Sequence, residues 1–348
     1  MAEERKRIYF ITPSFRIVGG VVKIFDYVNH ARTLGYEVVI CCQRPWEKNL
    51  ALFEHERFAD ITPRHGIRFM HPSKIGLGPE DLVFFSWPQD YQFIEAKLNK
   101  WLKHEQVIHI VQGVRHANPT FAHGYALRLL TRPMARIVTN DVLLDAVEPY
   151  LNKRSLTRVI PLGHHAKFFL KRREGGWGRR IKVAYTTWKS DLGDRVAQGL
   201  AGEAQRFQFR AIRDYVTWKE LKTLYQWSDV FLATPRAEEG FYLPGLEAMA
   251  AGSLVISPDA TGNRAYCDFG TNCLYAELED EGSYVEVLKG LGGEDSRRIV
   301  EIRDAGYQTV ERHSLTEEGV RFSVFLDDLW LRLRRTESLR KELRIAAQ

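Results

Sequence analysis

Two carboxylates, Glu239 and Glu247, stand eight positions apart in the run EEGFYLPGLEAMAAGSLVISPD, residues 238–259. Ionised glutamates only accept hydrogen bonds and can take adjacent hydroxyls two at a time, so a pair facing one site suits a ribose or a hexose. Pro244 fits the first turn of a helix, where its missing N–H costs nothing, and Gly252 falls where a C-terminal cap belongs. A helix starting there presents unpaired N–H groups and a partial positive charge, a ready seat for phosphate. Taken alone the spacing is weak, since random acidic pairs give it often and two solvent-exposed glutamates are the plain alternative. No Asp-x-Asp motif and no His/Cys/Asp cluster at ligand spacing is found, and the acids of SDLGD, 190–194, read as loop residues, so no metal is expected.

The elements that must position these groups alternate. Strand-like runs are RIYFIT 7–12, EVVICC 37–42, LVFFSW 82–87, VIHIVQ 107–112 and ARIVTN 135–140, with helices expected across 20–34, near 91–104 and near 121–130. After TRVIPLG 157–163 and the basic, Gly-rich KRREGGWGRR, the series restarts: IKVAYTT 181–187, QFRAI 208–212, a helix at 218–227, DVFLAT 229–234, the helix within 244–251 and LVISP 254–258. Such alternation implies parallel sheets covered by helices on both faces. The expected fold is α/β, two Rossmann-like doubly wound domains facing a cleft: residues 1–160, residues 161–315 and a C-terminal helical segment 316–348 packing across the lobes. In that last segment Ser314 and Glu317 suit a capping box, and Val320, Phe322, Val324, Phe325 and Leu329 suggest the buried face. In open sheets of this kind ligands bind beyond the carboxyl ends of the strands.

In these surroundings Glu239, Gly240, Phe241, Leu243, Pro244, Glu247, Ala248, Met249, Ala250 and Gly252, followed by an apolar strand, resemble the signature of the family 4 retaining glycosyltransferases with the GT-B fold. Three further stretches resemble the family in order: PSFRIVGGVV 13–22, where Gly19 and Gly20 open the first helix and admit substrate to the backbone, IPLGHHAKFF 160–169 between the lobes, and GNRAYCDFGTNCL 262–274 after the signature strand. The resemblance implies a nucleotide diphosphate sugar on the second lobe and the acceptor on the first. Glu247 then holds the ribose hydroxyls, Glu239 contacts the transferred sugar, and backbone N–H groups around Phe241 to Leu243 face the sugar or its phosphate. The family has an Arg and a Lys after the first strand of the second lobe; Lys189 fits the Lys, whereas Tyr185 stands at the Arg position, with Arg195 or a basic residue of 171–180 as replacement. Tyr242 stands where the family usually has glycine. For the histidine near the sugar, His116 lies beyond a strand end whereas His109 reads as core; His123 and His164 compete.

Composition limits the rest. With 45% hydrophobic and 27% charged residues the chain is an ordinary globular protein, and 348 residues suit two domains. No window resembles a membrane span, and MAEERKRIYF leads into a strand with no secretory segment, which predicts a cytoplasmic protein. Cys41, Cys42, Cys267 and Cys273 lie in or beside apolar runs as reduced thiols. A net charge of +6 and the basic runs 167–180 and 330–344 suit anions, and peripheral contact at the inner face of a membrane is one use of them, although a solvated linker and a solvated helix face come first. The expected activity is metal-independent, retaining transfer of a hexose or deoxyhexose from a UDP-, GDP- or dTDP-sugar, with no permanently bound cofactor, to a hydroxyl of a polysaccharide, lipid-linked saccharide or glycoside. Two alternatives are transfer to modified nucleic acid, for which no binding motif is seen, and a non-catalytic sugar or nucleotide binder of the same fold.

Overall fold

The computed structural model describes residues 6–44, 51–98, 104–173, 175–214, 216–291 and 296–346. The chain divides into unit 1, residues 1–161 with 316–348, and unit 2, residues 162–315.

Unit 1 runs β1 (Arg7–Ile11), α1 (Gly19–Thr33), β2 (Glu37–Cys41), β3 (Arg68–Met70), β4 (Asp81–Phe85), α2 (Pro88–Leu98), β5 (Val107–Val111), α3 (Tyr125–Leu130), β6 (Ala135–Val138), α4 (Asp141–Val147) and β7 (Thr157–Val159). Its seven strands are parallel in the order β3-β2-β1-β4-β5-β6-β7. β4 and β5 are buried at every position, as strands covered on both faces must be, and their unbroken apolar sequences reflect that. The helix expected near 91–104 begins earlier, at Pro88, and its expected residues 99–103 lie outside the described ones. The one expected at 121–130 starts only at Tyr125, because Ala122, His123 and Gly124 have φ values of 52°, 53° and 73° that no right-handed helix contains.

Unit 2 runs β8 (Ile181–Thr186), α5 (Leu192–Gly199), β9 (Phe207–Ile212), α6 (Trp218–Trp227), β10 (Val230–Leu232), α7 (Leu243–Ala250), β11 (Leu254–Ser257), β12 (Leu274–Tyr275), α8 (Glu281–Gly290) and α9 (Ser296–Arg312). These strands too are all parallel, in the order β12-β11-β10-β8-β9. The basic stretch after the first unit is tied down: Arg173 pairs with Asp229 at 2.8 Å and Trp177 donates to the Leu291 carbonyl at 3.2 Å.

The last helix, α10 (Leu315–Ala346), is a single rod. From Thr316 onward it groups with unit 1. Its buried face is Phe322, Phe325, Leu326, Leu329 and Trp330, whereas Val320 and Val324, expected on that face, are 56% and 58% exposed. Phe322 lies edge-on to Tyr27 at 4.9 Å between ring centres, and the Trp330 indole donates to the Tyr36 hydroxyl at 2.8 Å. No described helix is long and apolar enough to cross a membrane.

Candidate active site

In each sheet strand order reverses at one place, and the loops leaving that place form a crevice at the carboxyl edge. In unit 2 the reversal lies between β8 and β10, since β9 is on the far side of β8. Lys189 is on the loop after β8 and Glu239 on the loop after β10, and there Lys189 Nζ donates to Glu239 Oε1 at 3.1 Å. Both side chains keep access to solvent, 39% for the lysine and 18% for the glutamate.

The loop carrying Glu239 is held from below. Thr261 N–H and hydroxyl both donate to the Ala237 carbonyl, at 3.2 and 3.0 Å. A Cβ on Gly262 would stand 2.7 Å from Glu239 O and 2.8 Å from Phe241 N, so only glycine lets the two loops touch. Phe241 packs against Tyr266 and His313, and the Tyr266 hydroxyl donates to the Tyr242 carbonyl at 2.7 Å. Gly240 is buried in the same turn and Leu243 begins α7, with Pro244 in its first turn. Gly252 closes that helix at φ 74°, and a Cβ there would meet the Tyr307 hydroxyl and Lys171 O.

Tyr242 turns inward. Its ring is 2% exposed and its hydroxyl accepts from Thr234 N–H at 3.4 Å, at the end of β10. The phenol thus fills the space beneath the loop, where the glycine of the resemblance would leave a hole. Tyr185, at the missing arginine position, also belongs to the core: its ring lies where a Cβ on Gly193 would be, and its hydroxyl donates to Asp194 at 2.6 Å. Asp194 in turn accepts both amino groups of Arg213, at 2.5 and 2.7 Å, which brings a cation from the loop after β9 to the β8 end. Nothing in the sequence linked Arg213 to this place. Two of the expected replacements are occupied elsewhere: Arg195 stands among Asp191, Glu279 and Glu281 at 3.3, 3.6 and 3.9 Å, and Arg173 holds Asp229.

Glu247 departs from its expected place. It is 4% exposed, and both oxygens have protein donors: His164 Nε2 at 2.9 Å on one and the Tyr225 hydroxyl at 2.9 Å on the other. Burial holds the Tyr225 phenol well above its ordinary pKa, which keeps it a donor. In this state the carboxylate braces α7 against α6 and the 162–164 segment. It does not face an open crevice with free lone pairs, as a ribose acceptor would. In the sequence His164 reads only as a rival to His116, and Tyr225, 22 positions from Glu247, carries no signal.

In unit 1 the reversal lies between β1 and β4. Gly19 and Gly20, exposed, are the first residues of α1 beyond β1. Gln112, after β5, donates to the Gly20 carbonyl at 3.1 Å and to the Ser86 hydroxyl, after β4, at 2.8 Å, and so ties three strand ends together. Neither glycine has a positive φ, and a Cβ on Gly20 would make only an ordinary 3.6 Å contact with Gln112. A tight turn is therefore not what these glycines serve. His116 lies beyond β5 in a turn, 2% exposed, with Nδ1 donating to the Gly113 carbonyl at 2.8 Å and the ring 5.3 Å from His109. Burial pushes it down to about 4, so at neutral pH it is an uncharged imidazole with its proton on Nδ1. His109 stacks on Phe85 inside the sheet, as a core residue. Among the described residues no group of three or more His, Cys, Asp or Glu is placed to hold a metal ion.

Residues 189–291, which include Lys189, Glu239 and Glu247, match the model of a family described as glycosyl transferases group 1. No curated protein matches the sequence. Three solved structures are similar over nearly the whole chain. HepE from Anabaena, in complex with UDP-glucose, has a TM-score of 0.68 and 14% identity, covering 92% of this chain and 99% of that one. Sucrose-phosphate synthase from Thermosynechococcus elongatus has a TM-score of 0.67 and 13% identity, over 94% and 100% of the two chains. An α,α-trehalose-phosphate synthase (UDP-forming) from Burkholderia vietnamiensis has a TM-score of 0.65 and 10% identity, over 96% and 99%. With two parallel α/β sheets and these neighbours, the chain has the two-unit GT-B fold found in glycosyltransferases.

Proposed function

We propose that the protein is a retaining, metal-independent glycosyltransferase that moves a hexose or deoxyhexose from a nucleotide diphosphate sugar to a hydroxyl of a saccharide, lipid-linked saccharide or glycoside. The observation that carries this is the Lys189–Glu239 pair at the strand reversal of unit 2, in front of α7 and within the segment that matches the glycosyl transferases group 1 model. That HepE is solved with UDP-glucose supports a nucleotide sugar as the donor.

Breaking the bond between the sugar and the diphosphate sends its electron pair to the departing phosphate oxygen. Lys189 and the N–H groups opening α7 stabilise the charge that develops there, the kind of term usually largest in catalysis. Glu239, released from Lys189 by the phosphate, accepts from the sugar hydroxyls. The acceptor oxygen attacks from the face the leaving group vacates, which retains configuration, and its proton passes to the phosphate oxygen. On unit 1, Gly19 and Gly20 present backbone to substrate, and neutral His116, whose Nε2 is buried, accepts from a sugar hydroxyl only once its turn opens. Glu247 contacts a ribose only after exchanging His164 or Tyr225. The Tyr185 ring at the position of the arginine favours the second reading, a nucleotide or sugar binder that does not turn over.

The test is a panel of UDP-, GDP-, ADP- and dTDP-sugars, read by thermal shift and by release of nucleotide diphosphate with saccharide and alkyl glycoside acceptors. Selective stabilisation by one nucleotide is expected. Turnover should fall about a hundred- to a thousandfold in Lys189→Ala. Stabilisation without release under any pairing would select the second reading; no stabilisation and no release would overturn both.

A further inference from the structure

Unit 1 contains a pocket of about 220 Å³ that the residues above leave unexplained. Its floor is Phe15, Ile40, Phe69 and Met70. Ile40 lies in β2, Phe69 and Met70 end β3, and Cys42, Gln43, Arg44 and His71, which complete the wall, follow those strands. The pocket therefore opens beyond the carboxyl ends of β2 and β3, the side on which sheets of this kind bind ligands. Phe15 comes from the loop between β1 and α1 that ends at Gly19 and Gly20, so one loop links the pocket wall to the strand reversal of unit 1.

The floor is a fixed aromatic array. Phe15 lies 5.7 Å from Phe53, 6.0 Å from Phe69 and 6.1 Å from Phe25, and Phe53 lies 6.2 Å from Phe69. Rings interlocked in this way do not collapse into the space. Phenylalanine, isoleucine and methionine side chains give a hydroxyl-rich sugar no hydrogen-bond partner to replace water, whereas an alkyl or aryl group gains by leaving water. The donors Gln43, Arg44 and His71 stand at the strand ends and suit the polar part of the same molecule.

We infer that this pocket takes the alkyl or aryl group of the glycosyl acceptor, an amphiphile whose hydroxyl-bearing part meets Gln43, Arg44 and His71. The word acceptor rests on the transferase reading; the preference for an apolar group does not. The chain has four methionines, and of the described ones only Met70 lines the pocket, while Met134 and Met249 are buried in the cores of units 1 and 2. The experiment is methyl-13C methionine NMR on the full chain, titrated without donor with octyl glucoside below its micelle concentration and, separately, with glucose. The Met70 methyl resonance should shift saturably with octyl glucoside and about tenfold or more weakly with glucose, with Met134 and Met249 unmoved. Phe69→Asp should weaken the response about tenfold or more. If that variant loses the Met134 signal by unfolding, Gln43→Trp, at an exposed position, should block the mouth to the same effect. A Met70 resonance that ignores octyl glucoside, responds equally to glucose, or still responds in the folded variants would overturn the pocket. Transfer assays separate the two claims: a saturable Met70 shift with no transfer from any donor removes the transferase reading and leaves the pocket, whereas transfer to glucose as efficient as to octyl glucoside removes the acceptor assignment.

Discussion

His116 shows at the scale of one residue how burial prepares a group for a task. Its Nδ1–H is spent on the Gly113 carbonyl, so a neutral ring keeps Nε2 as an acceptor, and burial makes protonation costly down to about pH 4. The consequence for stability has a definite sign. The unfolded chain takes up a proton at this histidine near pH 6.5, the folded chain only near 4, so the unfolded state binds more protons between those values. Stability therefore falls as pH drops through that window, by at most about 1.4 kcal/mol per pH unit from this one group and roughly 3 kcal/mol in all. His109, held well below its ordinary value by burial, adds to the same slope. His116→Asn keeps an N–H for the Gly113 carbonyl but cannot titrate. Denaturant unfolding at pH 7, 6 and 5 should show a shallower pH slope in the variant, by up to one proton; an unchanged slope would mean that the imidazole takes up its proton as readily in the folded chain as in the unfolded one. Glu247 carries the opposite lesson, since nothing local to it announces its partners. His164 lies 83 positions away and Tyr225 lies 22, so the buried brace they form with Glu247 is a product of the tertiary fold.

Elements set the site through loops that touch, and Gly262 is where that can be tested. A Cβ there would force itself against Glu239 O and Phe241 N at 2.7 and 2.8 Å, and neither is the end of a flexible side chain. Gly262→Ala should thus displace the 239–241 loop and separate Glu239 from Lys189. The expected outcome is a loss of nucleotide stabilisation with a loss of global stability of about 1–3 kcal/mol, the usual scale of overpacking. A variant that binds nucleotide like the parent would mean that the Glu239 loop is not part of the donor site. Most of this scaffold was legible in the sequence, because strands buried on both faces advertise themselves as unbroken apolar runs such as LVFF and VIHIV. β3 and β12 were not, since three and two residues at a sheet edge, half-buried or exposed, carry no pattern. α5 was hidden by its own glycines, one of which must be glycine because the Tyr185 ring lies against it. On α10, apolar residues occupy two stripes, and spacing alone cannot say that Phe322, Phe325 and Leu329 face inward while Val320 and Val324 face water. Lys189 and Glu239 were legible by resemblance; Arg213, brought in by Asp194, was not.

For the molecule as a whole, the chain leaves unit 1 at Pro161 and returns to it at Thr316, so unit 1 is built from two stretches of sequence separated by all of unit 2. Within unit 2 the two crossings run together, with His164 N–H donating to the His313 carbonyl at 2.9 Å. What fastens the returning helix is a buried ionic cluster. Lys23 Nζ stands 2.7 Å from Glu318 and 3.0 Å from Asp26, Glu318 also receives His30 at 2.9 Å, and Asp26 also receives Arg57. Lys23, Asp26 and Glu318 have at most 1% of their side chains exposed. Opposite charges in such a place roughly offset their desolvation while paired, but removing one partner leaves the others costly. Lys23→Met keeps the shape and deletes the charge, and should destabilise unit 1 by about 3–5 kcal/mol. Adding Glu318→Gln should then recover part of the loss, because one uncompensated carboxylate goes with it. Urea unfolding followed at the Met134 methyl resonance reads unit 1 and at Met249 reads unit 2; the Met134 transition should move to lower urea while that of Met249 stays. A double variant no more stable than Lys23→Met would show that the loss does not come from leaving the Glu318 carboxylate uncompensated.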